Sequence, residues 1–278
     1  LRRYTSAGIE LALWPLLPDE IGYWPNERNV DSFSAFVQEI LDQVRTDGLR
    51  LPWIAIDMEP PIYQMDALKG TWGIDRLRTL ASLARANRNR PRFEAASDRY
   101  RSLLGVIHRA GAKTLVPVLP ILSHELTRNG QGLQDLLETP ITGIGWDVIS
   151  LMIYNSMLVG YSGERISWTD ARWYLYSTCR EMRRALGTRA SVSVGLLSPA
   201  KLGDEPYYED PDELRPDVQA AVAAGIADIA VYSLEGILGK KDPEAWLKTV
   251  ARSGPAVPAR SRRVDLVRAL GGLITRLL

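Results

Sequence analysis

The sequence predicts an α/β protein built on a parallel sheet, and three observations carry that prediction. Apolar runs of strand length alternate along the chain with segments of helical periodicity. Each strand-like run is nearly continuous in apolar residues, the pattern of a strand buried on both faces by flanking helices. Polar residues recur where these runs end, at Asp57 and Glu59, His124, Tyr154 and Asn155, Ser198, and Glu235. Function gathered at the C-terminal ends of strands is the rule for β/α barrels. An open doubly wound sheet shares that rule but usually carries a glycine-rich phosphate turn, and neither G-x-G-x-x-G nor G-x-x-x-x-G-K-[ST] occurs. A (β/α)8 TIM-type barrel is therefore the predicted fold.

Residues 9–17 (IELALWPLL) form the first strand-like run, followed by a loop rich in Pro, Asp and Gly. Asp31 looks like the N-cap of a helix in which Phe33, Phe36, Val37, Ile40, Leu41 and Val44 share a face, closed by Gly48. The second strand is 51–59. The span from Pro60 to Gly111 is charged and reads as two helices, 75–88 and 93–110. Its Arg76, Arg78, Arg85, Arg88, Arg90 and Arg92 make a solvated basic face. Strands follow at 114–122, 147–155, 191–198 and 226–237, with helices at 132–138, 168–186, 211–224 and 242–252. Six strands against the eight of a closed barrel leave two options, an incomplete barrel or two further βα units upstream of residue 1, and the start at Leu1 favours the second as an expectation. Residues 1–254 are thus read as a partial barrel, and 255–278 as a Pro/Arg linker and a C-terminal helix. Val267, Leu270, Leu273, Ile274 and Leu277 can line one face of that helix. It either packs on the barrel or contacts a partner or membrane surface.

The 278 residues are 46% hydrophobic and carry a formal net charge of +1, so no electrostatic footprint points to nucleic acid. No apolar run is long enough for a transmembrane segment. With 1 Cys and 2 His, neither an intrachain disulfide nor a structural zinc site is expected, and no metal or other cofactor is implied. The aromatic set is 8 Trp and 11 Tyr against 3 Phe, rings whose flat apolar faces and polar edges suit sugars. Trp14, Trp24, Trp72 and Tyr232 are the candidates to line a cleft.

The chemistry centres on 51–61, LPWIAIDMEPP. Period two puts Trp53, Ala55, Asp57 and Glu59 on one face, and Ile54, Ile56 and Met58 on the other. Two acids side by side at the end of a buried strand cost free energy to desolvate, and such perturbed carboxylates cluster at functional sites. The alternative is a solvated pair, salt-bridged to arginines.

Three stretches resemble glycoside hydrolase family 18, the chitinase and endo-N-acetylglucosaminidase barrels. Asp57-Met58-Glu59-Pro60-Pro61 matches the end of that family's D-x-x-D-x-D-x-E strand. Residues 147–155 (DVISLMIYN) are similar to its D-F-I-N-V-M-x-Y-D strand, and Val231-Tyr232-Ser233-Leu234-Glu235 to its final strand. The two earlier Asp positions of the first motif hold Pro52 and Ala55 here, and Tyr232 or Ser233 stands where the family has Trp. The resemblance implies a retaining glycosidase acting on N-acetylhexosamine-containing glycans, in which the substrate's own acetamido oxygen attacks the anomeric carbon. It implies Glu59 as general acid, Asp57 as the group that orients the acetamido, Tyr154 as its hydrogen-bond partner and Met152 as pocket floor. Trp14, Gln64, Asn155, Tyr232 and Glu235 are the remaining substrate-binding candidates. Without an acid at Ala55, Asp57 needs another partner, for which a hydroxyl such as Ser150 or Ser193 could stand in, and turnover is expected to be reduced or altered.

Two other readings stay open. One is a carbohydrate-binding barrel without turnover, for which Ala55 argues. The other is a muramidase-like glycosidase of another D-x-E barrel family. In each the partner is an oligo- or polysaccharide. The resemblance alone points to an extracellular or cell-envelope setting.

Overall fold

The computed structural model describes residues 2–68, 73–163, 165–201 and 203–275. The chain forms two compact units, one of Leu1–Val118 with Arg128–Val148, the other of Leu119–Thr127 with Ile149–Leu277. Each is a parallel α/β assembly.

In the first unit, α1 (Arg2–Ser6) precedes β1 (Ala12–Leu13), α2 (Val30–Thr46), β2 (Trp53–Ala55), α3 (Ile62–Leu68), α4 (Gly73–Asn87), α5 (Arg90–Arg109), β3 (Lys113–Val118) and, further along, α7 (Gly132–Leu136). β2 pairs in parallel with both β1 and β3, and an isolated bridge from Met58 to Val118 extends the second pairing. Helix α2 buries Val30, Phe33, Val37 and Leu41, successive positions on one face. It packs on α5, which buries Phe93, Ala96, Tyr100, Leu103, Leu104 and Ile107.

The second unit contains α6 (Ser123–Leu126), β4 (Val148–Met152), α8 (Asn155–Tyr161), α9 (Trp168–Leu186), β5 (Ala190–Gly195), α10 (Pro211–Ala223), β6 (Asp228–Tyr232), α11 (Leu234–Leu238), α12 (Pro243–Arg252) and α13 (Arg262–Ile274). β5 pairs in parallel with β4 and β6. Both α9 and α10 start in capping boxes, Ser167 with Asp170 and Asp210 with Glu213, which satisfy backbone donors that a helix start leaves open.

Several expectations are corrected. The first strand is two residues long rather than spanning 9–17, and Ile9 is exposed. Pro15 has no amide to extend the ladder, so apolar composition there did not become strand. Asn29, not Asp31, is the N-cap residue of α2, and Asp31 sits in the first turn, where a negative charge favours the helix dipole. The run 226–237 is strand only to Tyr232, because the Ser233 hydroxyl accepts from the Gly236 amide at 3.1 Å and starts α11. Arg92 is not part of a solvated basic face. It turns inward, ion-paired to Glu27 and, at 2.8 Å, to Glu138. The Arg76 side chain and Leu277 lie outside the described residues. The C-terminal helix α13 is seated on α9 by polar contacts, Trp173 to Asp265 at 2.7 Å and Arg268 to Glu181 at 2.7 Å. Its Val267, Leu270 and Leu273 are exposed instead of packed.

β5 ends in a close backbone approach. Gly195 has φ +124°, and a Cβ there would sit 2.6 Å from the Tyr232 carbonyl oxygen. A side chain is disfavoured both by φ and by contact with backbone that cannot rotate away. Gly195→Ala is expected to destabilise the protein by roughly 2 kcal/mol or more, read as a lowered midpoint in urea unfolding.

Candidate active site

The first unit carries the acid pair. β2 is buried on both faces, with Ile54 and Ile56 at 0% exposure and Ala55 at 8%. The chain continues extended past it, anchored by the Ile56 amide on the Leu115 carbonyl and the Met58 amide on the Pro117 carbonyl. Asp57 is 3% exposed and Glu59 half-buried, so the pair is not a solvated one. Among the described residues no arginine or lysine forms an ion pair with either acid.

Burial sets the protonation of this pair. It pushes the Asp57 carboxyl up to about 7, against hydrogen bonds from Trp24 and Glu59 that favour its charged form. Glu59 is pushed well above the ordinary carboxylate range, first by burial and then by the Asp57 charge beside it. Both carboxyls are thus held above the ordinary carboxylate range, the Glu59 one well above it. Asp57 Oδ1 is buried and accepts no hydrogen bond from the described residues. A protonated acid beside an anion with one unfilled acceptor oxygen can give a proton to a leaving group while holding an N–H donor.

Trp24, one of the aromatic cleft candidates, comes from the loop after Gly22. It is 7% exposed, and its backbone carbonyl accepts from the side-chain amides of Asn26 and Asn29, each at 2.8 Å. The signal in the sequence is the pair of asparagines shortly after it, a residue type that bonds locally to backbone and fixes loops. The Ser150 and Ser193 hydroxyls bond to one another at 3.0 Å in the second unit, with Ser191 bonding Ser150 at 3.2 Å.

Gln64 and Asn155 are buried and bonded to other side chains. The Gln64 amide donates to Glu138 at 2.7 Å, and its carbonyl accepts from Asn87 at 2.9 Å. The Asn155 amide donates to Asp217 at 2.9 Å, an acid that burial pushes up to about 6 and that also accepts from Tyr208. In the second unit Met152, Tyr154 and Tyr232 are half-buried, and the two tyrosine rings lie 6.1 Å apart. Glu235 is exposed on the first turn of α11. Trp14 is exposed after β1, and Trp72 lies outside the described residues. Asp147, at the start of the second resembling stretch, accepts from the Thr114 amide at 2.8 Å and hydroxyl at 2.9 Å, a tie within the first unit. No group of three or more His, Cys, Asp or Glu among the described residues could hold a metal ion.

Parallel strands joined by helices, with a buried acid pair just past a strand, define the class as α/β with a TIM-type likeness. No protein-family model matches the chain, and no curated protein sequence does. Among solved structures, the glycoside hydrolase domain of PgaB (BpsB) from Bordetella bronchiseptica is similar in fold. The TM-score is 0.52 over 89% of this chain and 77% of that one, at 9% identity. A fungal β-1,4-galactanase gives a TM-score of 0.46 over 92% and 77%, at 12% identity. An L-ribulose 3-epimerase gives 0.41 over 99% and 79%, at 14%. The first of these shows a shared fold.

Proposed function

We propose that the protein is a retaining glycoside hydrolase that cleaves N-acetylhexosamine-containing glycans with the substrate's acetamido oxygen as nucleophile. The observation that carries this reading is the buried pair: Glu59 held protonated beside Asp57, whose Oδ1 is left without a donor. Glu59 would protonate the leaving oxygen. An acetamido N–H would fill Asp57 Oδ1, which turns the amide oxygen toward the anomeric carbon and stabilises positive charge on the nitrogen as the bond forms. The fold is one that a glycoside hydrolase domain also uses, and the strands would belong to a (β/α)8-type barrel. No helix among the described residues is long and apolar enough to cross a membrane.

A thiazoline analogue, which mimics the cyclised acetamido intermediate, tests this mechanism. Competitive inhibition of oligosaccharide hydrolysis is expected, tighter than product by roughly 100-fold or more, as for other transition-state-like ligands. Hydrolysis untouched by the thiazoline would favour a glycosidase whose nucleophile is a protein carboxylate instead.

A further inference from the structure

The C-terminal helix α13 sits on the second unit with its polar side inward. Asp265 accepts from the Trp173 indole N–H at 2.7 Å, and the Ser261 hydroxyl that caps the helix also donates to Asp170. Arg268 is 8% exposed, paired with Glu181 at 2.7 Å, and its guanidinium lies over the Tyr174 ring, 5.7 Å from the centroid. At Gly271 a Cβ would meet the His124 ring at 3.7 Å. Positions 261, 265, 268 and 271 recur at three to four residues, so they form one inward face along the helix.

The opposite face is apolar and open. Leu266, Val267, Leu270 and Leu273 are 62, 60, 50 and 54% exposed, and they too recur at helical spacing. This inverts the usual arrangement, in which a surface helix buries its apolar stripe and shows its polar one. An ion pair and hydrogen bonds seat α13, and its apolar ridge is left facing outward. The charge beside the ridge is of one sign. Residues 255–278 hold Arg260, Arg262, Arg263, Arg268 and Arg276 against Asp265 alone. Asp265 is paired with Arg260 at 2.7 Å, whereas Arg262 and Arg263 are exposed and form no ion pair among the described residues. Arg263 donates to the Arg165 carbonyl at 2.8 Å and lies within electrostatic reach of Asp170. Arg262 and Arg263 stand one helical turn before Leu266 and Val267, on the same side.

We propose that α13 is an interfacial helix that docks the protein on an anionic lipid surface. Leu266, Val267, Leu270 and Leu273 enter the headgroup boundary, and Arg262 and Arg263 meet the lipid phosphates. A surface of this kind takes a shallow apolar ridge flanked by arginines and requires neither a groove nor a long span. A second copy of the chain fits the ridge poorly. Four half-exposed side chains fall short of the roughly 800 Å² per partner that a stable protein interface covers. Pairing would also gather the arginines of both copies around one small patch, with Asp265 already engaged. Docking on lipid holds whether or not the acid pair turns over a substrate.

The test is co-sedimentation of the full chain with vesicles of phosphatidylcholine alone and of phosphatidylcholine mixed with phosphatidylglycerol. Binding is expected to the anionic vesicles, to weaken as salt is raised, and to be at least about 10-fold weaker on the neutral ones. The double variant Arg262→Gln, Arg263→Gln is expected to lower the partition coefficient by roughly 25-fold, about 5-fold for each arginine. Leu270→Ser is expected to lower it by roughly 10-fold or more, the loss of one leucine buried in the boundary. All three positions are exposed, so circular dichroism of the variants should match that of the wild type. If a variant fails to fold, the salt and lipid dependence of the wild type decides alone. No binding to anionic vesicles, equal binding to both kinds, or binding that the substitutions leave unchanged overturns the proposal. So does a dimer in light scattering that Leu270→Ser converts to a monomer, which would assign the ridge to a second copy.

Discussion

Glu59→Gln is expected to lower kcat on N-acetylglucosamine oligosaccharides by roughly 100- to 10,000-fold while leaving their binding close to that of the wild type. The range is that of removing a general acid from its transition state. Binding survives because glutamine has the same shape and, like protonated Glu59, can donate to Asp57. Burial and the Asp57 charge raise the Glu59 carboxyl well above the ordinary carboxylate range, so on the proposed mechanism the change removes a proton that can be delivered. Calorimetric binding beside single-turnover kinetics separates the two effects. A variant that loses binding and turnover together would mean that Glu59 acts as a structural contact.

Asp57→Asn is expected to lower turnover as well, yet to stabilise the fold at alkaline pH. Asp57 titrates near 7 when folded and at 3.8 in its unperturbed state, so the folded protein holds this proton more tightly than the unfolded chain does. The resulting contribution is fully present below the unfolded value and is lost as pH rises through the folded one. Between about pH 4 and about pH 7 each such group costs up to roughly 1.4 kcal/mol per pH unit. Asparagine removes that cost. The variant should match the wild type near pH 4 and exceed it near pH 8 by on the order of 3 kcal/mol, measured as the difference in urea-unfolding free energy. Glu27, pushed up to about 7 chiefly by burial, and Asp217, up to about 6, titrate in the same window in both proteins. The difference between the two curves therefore reports the acid pair, Asp57 together with the part of the Glu59 shift that the Asp57 charge causes. Equal pH dependence in the two proteins would show that Asp57 is not buried as an acid.

The legible parts of the fold are those in which local chemistry and packing agree. Helices α2, α5 and α9 read clearly because their buried residues recur every three to four positions and glycine or polar caps mark their ends. The 9–17 run misled because apolar composition does not supply a hydrogen-bonded partner strand, and β1 finds one only at Ala12 and Leu13. The 226–237 run misled because Ser233 competes for the backbone and begins a helix inside an apolar stretch. α3 follows directly on Pro60 and Pro61, and its short span gives too few turns to show a period. The acid pair was legible because two carboxylates at the end of an apolar run have few inexpensive explanations. The bracing of the loop around Trp24 was less so, since Tyr100 and Ile62 reach it from elements distant in sequence. Only the asparagines beside it hinted that the loop is fixed. The inward turn of Arg92 was hidden for the same reason: Glu27 and Glu138 lie on other parts of the chain.

The most direct measurement of the central claim is 1H NMR of the first product released from a β-linked N-acetylglucosamine oligosaccharide. A retaining mechanism with the acetamido group as nucleophile predicts that the new reducing end appears first as the β-anomer, at a rate that Glu59→Gln abolishes. An α-anomer formed first, or no product at all, would contradict the account.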